Sequence, residues 1–272
     1  MEPTEFAPRA LSTLENWWQP RDLSADQCWH LAIGPLSMYL EHTAAEWLLG
    51  HQRQTEQDEV NRTLQEPLDS WPESLTPNRY VFRQPPSECQ LLPCLMDRPV
   101  VVKTRQPVFI PPGESINFYI STPVCIRLML GNELMLLELP VLRLSDTWFG
   151  PSTQIGELCY AAKTHARHNL AELPLRPHRA VTPLKITNRS QEMLTIGKIS
   201  LPVPMLSVFA REDHTLWTEA VTLEHHTDQP LAKLKIERKL PIGISTTQRI
   251  SSARQRPESN TLVRAFAGIF TD

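Results

Sequence analysis

The chain has 272 residues, 41% of them apolar and 21% charged, with a formal net charge of -3. That composition supports a buried core and excludes a wholly disordered chain, and the charge balance argues against the clustered basic surface that non-specific nucleic-acid binding needs. The 25 prolines against 9 glycines fit many short strands joined by stiff turns, because proline neither continues a helix nor donates to a ladder.

The N-terminal run MEPTEFAPRALSTLENWWQP is acidic early and lacks an apolar core, so it reads as neither a signal nor a transit peptide. No stretch approaches the roughly 20 apolar residues of a membrane span. Five cysteines, an odd number, point to reduced thiols and a cytoplasmic location. The pair Trp17-Trp18 is expected to pack against the first sheet. From Trp29 the pattern turns to strand: Leu36, Met38 and Leu40 alternate with Ser37, Tyr39 and Glu41, the period of a half-buried strand. A second strand is expected over 47–52, although EHTAAEWLL also allows a helical turn. Residues 54–97 form an acidic, Pro-bearing excursion, with a short helix expected at 58–64.

Residues 98–142 are the clearest β block. Pro111-Pro112-Gly113 is a turn signal, since proline presets φ and glycine supplies a positive φ. The runs VCIRLML and ELMLLEL flank Gly131-Asn132, the mark of a hairpin. In that register Arg127 and Glu138 share a face, which predicts a cross-strand ion pair. A second β block follows over 157–237, with turns at Asn188-Arg189-Ser190 and Arg211-Glu212-Asp213. Strands at this spacing indicate a sandwich or barrel. The tail is polar and basic, with a short amphipathic helix expected through Leu262, Phe266 and Phe270, capped by Ser259 or Asn260. Residues 41–97 are net acidic and 233–264 net basic, by roughly six charges each way.

The expected fold is all-β: two packed antiparallel β-sandwich domains, Ig-like or jelly-roll-like, with a short C-terminal helix. The expected division is 1–145 with the acidic excursion at 54–97, then 146–242, then a flexible basic tail over 243–272.

Between the two blocks, VLRLSDTWFGPSTQIGELCYAAKTHAR gathers the residue types that make sites, on what reads as a loop between sheets. Arg143, Asp146, Trp148, Glu157, Tyr160 and Arg167 are the candidate ligand-binding residues. Trp148 suits stacking on a planar or sugar ligand, and Arg143 or Arg167 suits an anion. The same residues also suit a sealed interface between domains, and the sequence leaves the two open.

No catalytic residue is assigned. The chain has no G-x-S-x-G, P-loop, G-x-G-x-x-G or H-E-x-x-H motif. Asp146 with Glu157, and Cys159 with His165, are the only pairs that suggest acid–base or thiolate chemistry. His165-x-x-His168, with His178 or Cys159, lacks the dense spacing of a zinc site. The chain therefore reads as non-enzymatic, with no cofactor and no metal.

The segments LSDTWFGPSTQIGELCYAAKTHAR, IGPLSMYLEHTAAEW and PHRAVTPLKITNRS resemble an uncharacterised bacterial and archaeal family, a domain of unknown function. The resemblance covers about residues 29–240 and brings no established activity, cofactor or catalytic residue. The lack of catalytic signatures, the sheet-rich scaffold and the basic C-terminal segment point to a soluble accessory or interaction module with a protein partner, and the resemblance adds a mechanosensitive membrane channel complex as that partner. The charge balance points to no nucleic acid partner. The alternative is a small-molecule, carbohydrate or anion binder, or a hydrolase, using residues 143–168.

Overall fold

The computed structural model describes residues 16–23, 25–54, 61–131, 133–152, 154–226, 231–237, 247–258 and 261–267. The chain forms two compact units, Met1–Gln90 with Met129–Leu134, and Leu91–Leu128 with Met135–Asp272. Twenty-two strands are described, and the only helical elements among the described residues are two single 3-10 turns, Leu170–Glu172 and Val203–Met205.

The first unit holds β1 (Arg21–Asp22), β2 (Cys28–Ile33), β3 (Leu36–His42), β4 (Glu46–Arg53), β5 (Thr63–Leu68) and β6 (Asn78–Val81). Five of these make one antiparallel sheet in the order β5-β2-β3-β4-β6. The expected alternation in β3 is present, but Ser37 and Tyr39 are buried as well as Leu36, Met38 and Leu40. The reason is cover on the second face. Tyr39 stacks on His30 with centroids 4.8 Å apart and tilts against Trp71. A Cβ on Gly50 would overlap Leu75 and Trp71, so this glycine lets the 71–75 segment lie down on the sheet. Residues 61–77 are thus no simple surface excursion. Thr63 and Leu64 lie in β5, paired with β2, and this corrects the helix expected at 58–64; residues 55–60 lie outside the described residues. Trp17 and Trp18 are buried and meet edge to face at 5.7 Å.

β7 (Glu88–Cys94), β10 (Cys125–Leu130) and β11 (Leu134–Pro140) neighbour one another in one sheet and contribute residues to both units. The hairpin signal at Gly131 is realised between β10 and β11, with Gly131 at φ 56°; Asn132 lies outside the described residues. Arg127 Nε donates to Glu138 at 2.7 Å, the expected cross-strand pair.

The second unit also holds β8 (Val100–Ile110), β9 (Ser115–Pro123), β12 (Ser145–Phe149), β13 (Glu157–Ala166), β14 (Arg179–Asn188), β15 (Leu194–Leu201), β16 (Val208–Arg211), β17 (Leu216–Trp217), β18 (Ala220–His225), β19 (Ala232–Glu237), β20 (Thr247–Ser251), β21 (Leu262–Val263) and β22 (Phe266–Ala267). One sheet runs β12-β13-β8-β15-β22. The other is built on β14, with β9 along one edge and β17 and β18 along the other. The turn 111–114, with Gly113 at φ 81°, carries the chain from β8 in one sheet to β9 in the other. The sheets pack face to face over fully buried Val100, Val102, Phe118, Ile120, Ile186 and Ile196. A Tyr119–Arg167 bridge and a bond from Thr164 Oγ1 to the Ser121 carbonyl at 3.1 Å stitch them together.

The chain is therefore all-β, with sandwich-like packing. The sheets are mixed rather than wholly antiparallel: β13 runs parallel to β8, and β14 parallel to β17 and β18. The crossovers that parallel pairs require are made here of strands and turns. The compact units divide the chain elsewhere than at 145/146, because β8 and β9 pair with strands from beyond that point.

The C-terminal segment corrects two expectations. Leu262 lies in β21 and Phe266 in β22, so the amphipathic helix does not form there; Ser259, Asn260 and Phe270 lie outside the described residues. Apolar residues four apart can serve two short strands that pair in different sheets, as here. Residues 247–258 are also not a free tail. β20 pairs with β16, Ser251 Oγ donates to the Pro93 carbonyl at 2.6 Å, and Arg254 donates to the Leu95 carbonyl at 2.8 Å and to Glu138. The basic segment is anchored by Glu138 and by the Pro93 and Leu95 carbonyls, backbone groups rather than acidic side chains of the 54–97 stretch.

Candidate functional site

The segment expected as a loop is largely a hairpin. β12 and β13 pair from Ser145↔Ala161 to Phe149↔Glu157, so DTWF is strand. Alternation puts Asp146, Trp148, Leu158 and Tyr160 on one face, and Phe149, Glu157 and Cys159 on the other. The connection 150–156 is tight. A Cβ on Gly150 would overlap the Ile155 carbonyl and Gly156 backbone, and one on Gly156 would come within 2.6 Å of the Trp148 indole nitrogen. Trp148 therefore lies over Gly156, and its Nε1 donates to the Ser152 carbonyl at 2.7 Å. The residue remains 47% exposed.

At the base of the hairpin, Asp97 and Arg98, just before β8, complete a polar cluster. Tyr160 donates its hydroxyl proton to Asp97 at 2.9 Å. Arg98 donates to Asp146 at 3.2 Å and sits 5.4 Å above the Tyr160 ring. Burial, then the hydrogen bond to Asp97, pushes the Tyr160 phenol above its ordinary pKa. Arg98 and Asp97 also line a cleft of about 410 Å3, whose other polar groups are Glu157, Ser200, Gln255 and Arg264. Its apolar wall includes Met205, Leu262 and Pro202. Glu157 is half-buried there, and burial raises its pKa against the opposing pull of Arg264 and Cys159. A carboxyl so placed exchanges donor and acceptor roles more readily than a free one.

Three of the six candidate residues thus belong to one neighbourhood: Glu157 lines the cleft, and Asp146 and Tyr160 hold the residues that line it. Trp148 lies against Gly156, which lines the cleft, but is not itself part of the lining. Arg143 is exposed ahead of β12 and lines neither this cleft nor the second one described next. Arg167 lies at that second cleft, with Arg105 and His168. The proposed acid pair does not form, because Asp146 and Glu157 face opposite sides of the hairpin and lie three register steps apart. Cys159 is buried beside Ser200, 3.9 Å away, while His165 is exposed further along the same strand. Among the described residues, no three His, Cys, Asp or Glu groups stand together as metal ligands.

Sequence reasoning missed Asp97, Arg98, Gln255 and Arg264. Asp97-Arg98-Pro99 carried one available signal, an acid–base pair against a proline at the start of the strongest β block. Nothing in the sequence links the 255–264 segment to it.

The model of the family described as a protein of unknown function (DUF432) matches residues 17–271. The chain belongs to that family. Comparison with curated proteins and with solved structures finds no match. The match includes the hairpin, the cleft and the anchored C-terminal segment, and extends past the 29–240 span of the resemblance. No helix among the described residues is long and apolar enough to cross a membrane.

Proposed function

We propose that this chain is a non-catalytic binding module, and that the cleft between Asp97-Arg98, Glu157 and Arg264 takes a small hydroxyl-rich molecule of carbohydrate type. The observation that carries this reading is the balance of groups in one cleft of about 410 Å3. Acceptors (Asp97, Glu157) and donors (Arg98, Gln255, Arg264) line it together with the apolar Met205 and Leu262. Sugars present both donors and acceptors and an apolar ring face, which such a lining satisfies. Binding is favoured over catalysis by the state of the nearby nucleophiles. Burial pushes the Cys159 thiol up to about 11, far from the thiolate an enzyme needs. The Ser200 hydroxyl is buried.

A thermal-shift screen with monosaccharides, uronic acids and polyols tests this. At a hundredfold excess over Kd, ligand adds about 2.7 kcal/mol, a rise of roughly 5–10 °C for a unit of this size. Glu157→Gln and Arg264→Gln should reduce the shift. If no member of the panel shifts the transition, or both variants respond like wild type, the proposal fails.

One observation favours a second reading, docking of a protein such as a membrane channel subunit. Trp148, Ile155 and Leu158 are all exposed on the hairpin, and β12 is an edge strand among the described residues. Exposed apolar groups on an unpaired edge suit strand addition. Loss of a purified channel complex's binding on Leu158→Ser, with sugar binding intact, would favour it.

A further inference from the structure

The sheet that carries the hairpin bears a second pattern, independent of the cleft just described. His165 lies opposite Lys103 in the β8–β13 register, and Lys103 lies opposite Lys198 in the β8–β15 register. Three basic side chains therefore stand in one row across three adjacent strands, at roughly 5 Å per step. Lys103 and His165 are exposed and Lys198 half-buried. Like charges directly opposite in a ladder repel, and no carboxylate among the described residues comes within ion-pair reach of these three.

The next paired step, Ala166↔Thr104, is followed by Arg167 and Arg105. Both line a cleft of about 600 Å3 with Gln106 and His168. This cleft exists because both ladders slip beside β8: against β13 between Ala161 and His165, and against β15 between Ile196 and Lys198. Thr104 Oγ1 fills the break by donating toward the Ile196 and Gly197 carbonyls at 3.4 and 3.3 Å, and Pro107 has no N–H to restore the ladder there. Such irregularities re-aim side chains; here they turn Thr104–Pro107 into a cleft wall. His168 is fixed through Nδ1 to the Asn117 carbonyl at 3.1 Å and packs on Phe118. Glu172, the one carboxylate in this lining, is 4.0 Å from Arg167.

We propose that this row and cleft bind a soluble small molecule carrying two or more linked phosphoryl groups. One group lies over Lys103, Lys198 and His165, and the next reaches Arg105 and Arg167. The two tiers are two residues apart in sequence on both β8 and β13, so the row adjoins the cleft without lining it, and long lysine and arginine side chains can close around a short phosphate chain between them. Arginines grip phosphoryl oxygens in two-pronged fashion, while lysines act as point charges. A concave site suits a soluble anion better than the flat face of a bilayer.

Isothermal titration of the full chain with tripolyphosphate tests the assignment, with phosphatidylglycerol vesicles as the competing arm. The expected result is saturable one-to-one binding, weakened at least tenfold in Lys103→Gln/Lys198→Gln and in Arg105→Gln. Binding should be unchanged in Lys185→Gln, an exposed lysine on β14. The ligand-free Lys103→Gln variant should melt at or above the wild-type temperature, because repulsion is relieved; a merely structural lysine would lower it. Absent binding, equal affinity in all variants, or vesicle binding that tripolyphosphate does not displace would overturn the proposal.

Discussion

Arg254 is the residue whose removal should report most clearly on how the C-terminal segment is held. Its guanidinium donates to the Leu95 carbonyl at 2.8 Å and to Glu138, and approaches the Cys94 sulfur at 3.5 Å. Arg254→Met keeps much of the apolar stem and removes all three contacts. Hydrogen bonds to charged groups contribute about 1.5–3 kcal/mol each. The Arg254 and Glu138 side chains are 20% and 25% exposed, and Arg127 continues to pair with Glu138, so screening and the surviving partner reduce the loss. A net cost of about 2–3 kcal/mol follows, or about 4–12 °C in Tm for a unit of this size. The effect should depend on pH. Burial pushes the Glu138 carboxyl up, but Arg254 and Arg127 outweigh it and hold its pKa below the ordinary carboxylate value. A depressed carboxylate contributes stability above its unfolded pKa and loses it as pH falls through the folded one. The wild-type advantage over Arg254→Met should therefore be full at pH 7 and shrink below about pH 4. Differential scanning calorimetry at pH 7 and pH 3 measures both. A shift under about 1 °C at pH 7, or a difference that persists undiminished at pH 3, would refute the reasoning.

Further outcomes follow from particular residues. Gly150→Ala drives a Cβ into backbone at Ile155 and Gly156 and should cost about 1–3 kcal/mol; Gly156→Ala meets the Trp148 ring and the Phe149 carbonyl, and should lower Tm and also change indole fluorescence. All five cysteines are free and buried, with burial pushing Cys89 up to about 12 and Cys28 to about 11. A thiol reagent at pH 8 should find none rapidly reactive in the native protein and all five after denaturation; one fast native thiol contradicts this. His178 is fully buried with neither ring nitrogen bonded, and burial, with Arg179 and Arg176, depresses its pKa to about 3. The unfolded chain then binds the extra proton between that value and about 6.5, so stability falls as pH drops through this window. His178→Leu should remove roughly 2 kcal/mol of that loss at pH 5, read from urea midpoints at pH 7 and 5.

Much of the fold was legible because its signals are local. Alternation in 36–41, the Gly131 hairpin and the Arg127–Glu138 pair each depend on near neighbours in one sheet, and each is present. What escaped depends on long-range pairing. β8 takes its partners from residues 160–166 and 194–201, and no periodicity announces a parallel partner 60 residues away. The 262–266 spacing fits a helix face as well as two short strands, and only pairing with β19 and β15 decides it. For the candidate site, residue types pointed to Asp146, Glu157 and Tyr160, but the opposite faces of Asp146 and Glu157 follow only once DTWF is seen to be strand. Asp97 and Arg264 come to Glu157 through tertiary contacts that composition does not encode.

The central claim, that the Asp97–Glu157–Arg264 cleft binds a hydroxyl-rich small molecule, is tested most directly by NMR titration of labelled protein with the sugars and polyols that give a thermal shift. The account predicts saturable changes at the Gln255 side-chain amide and the backbone amides of Gly156, Glu157 and Arg264, lost in Arg264→Gln. Changes confined to other surfaces, or none at millimolar ligand, would contradict it.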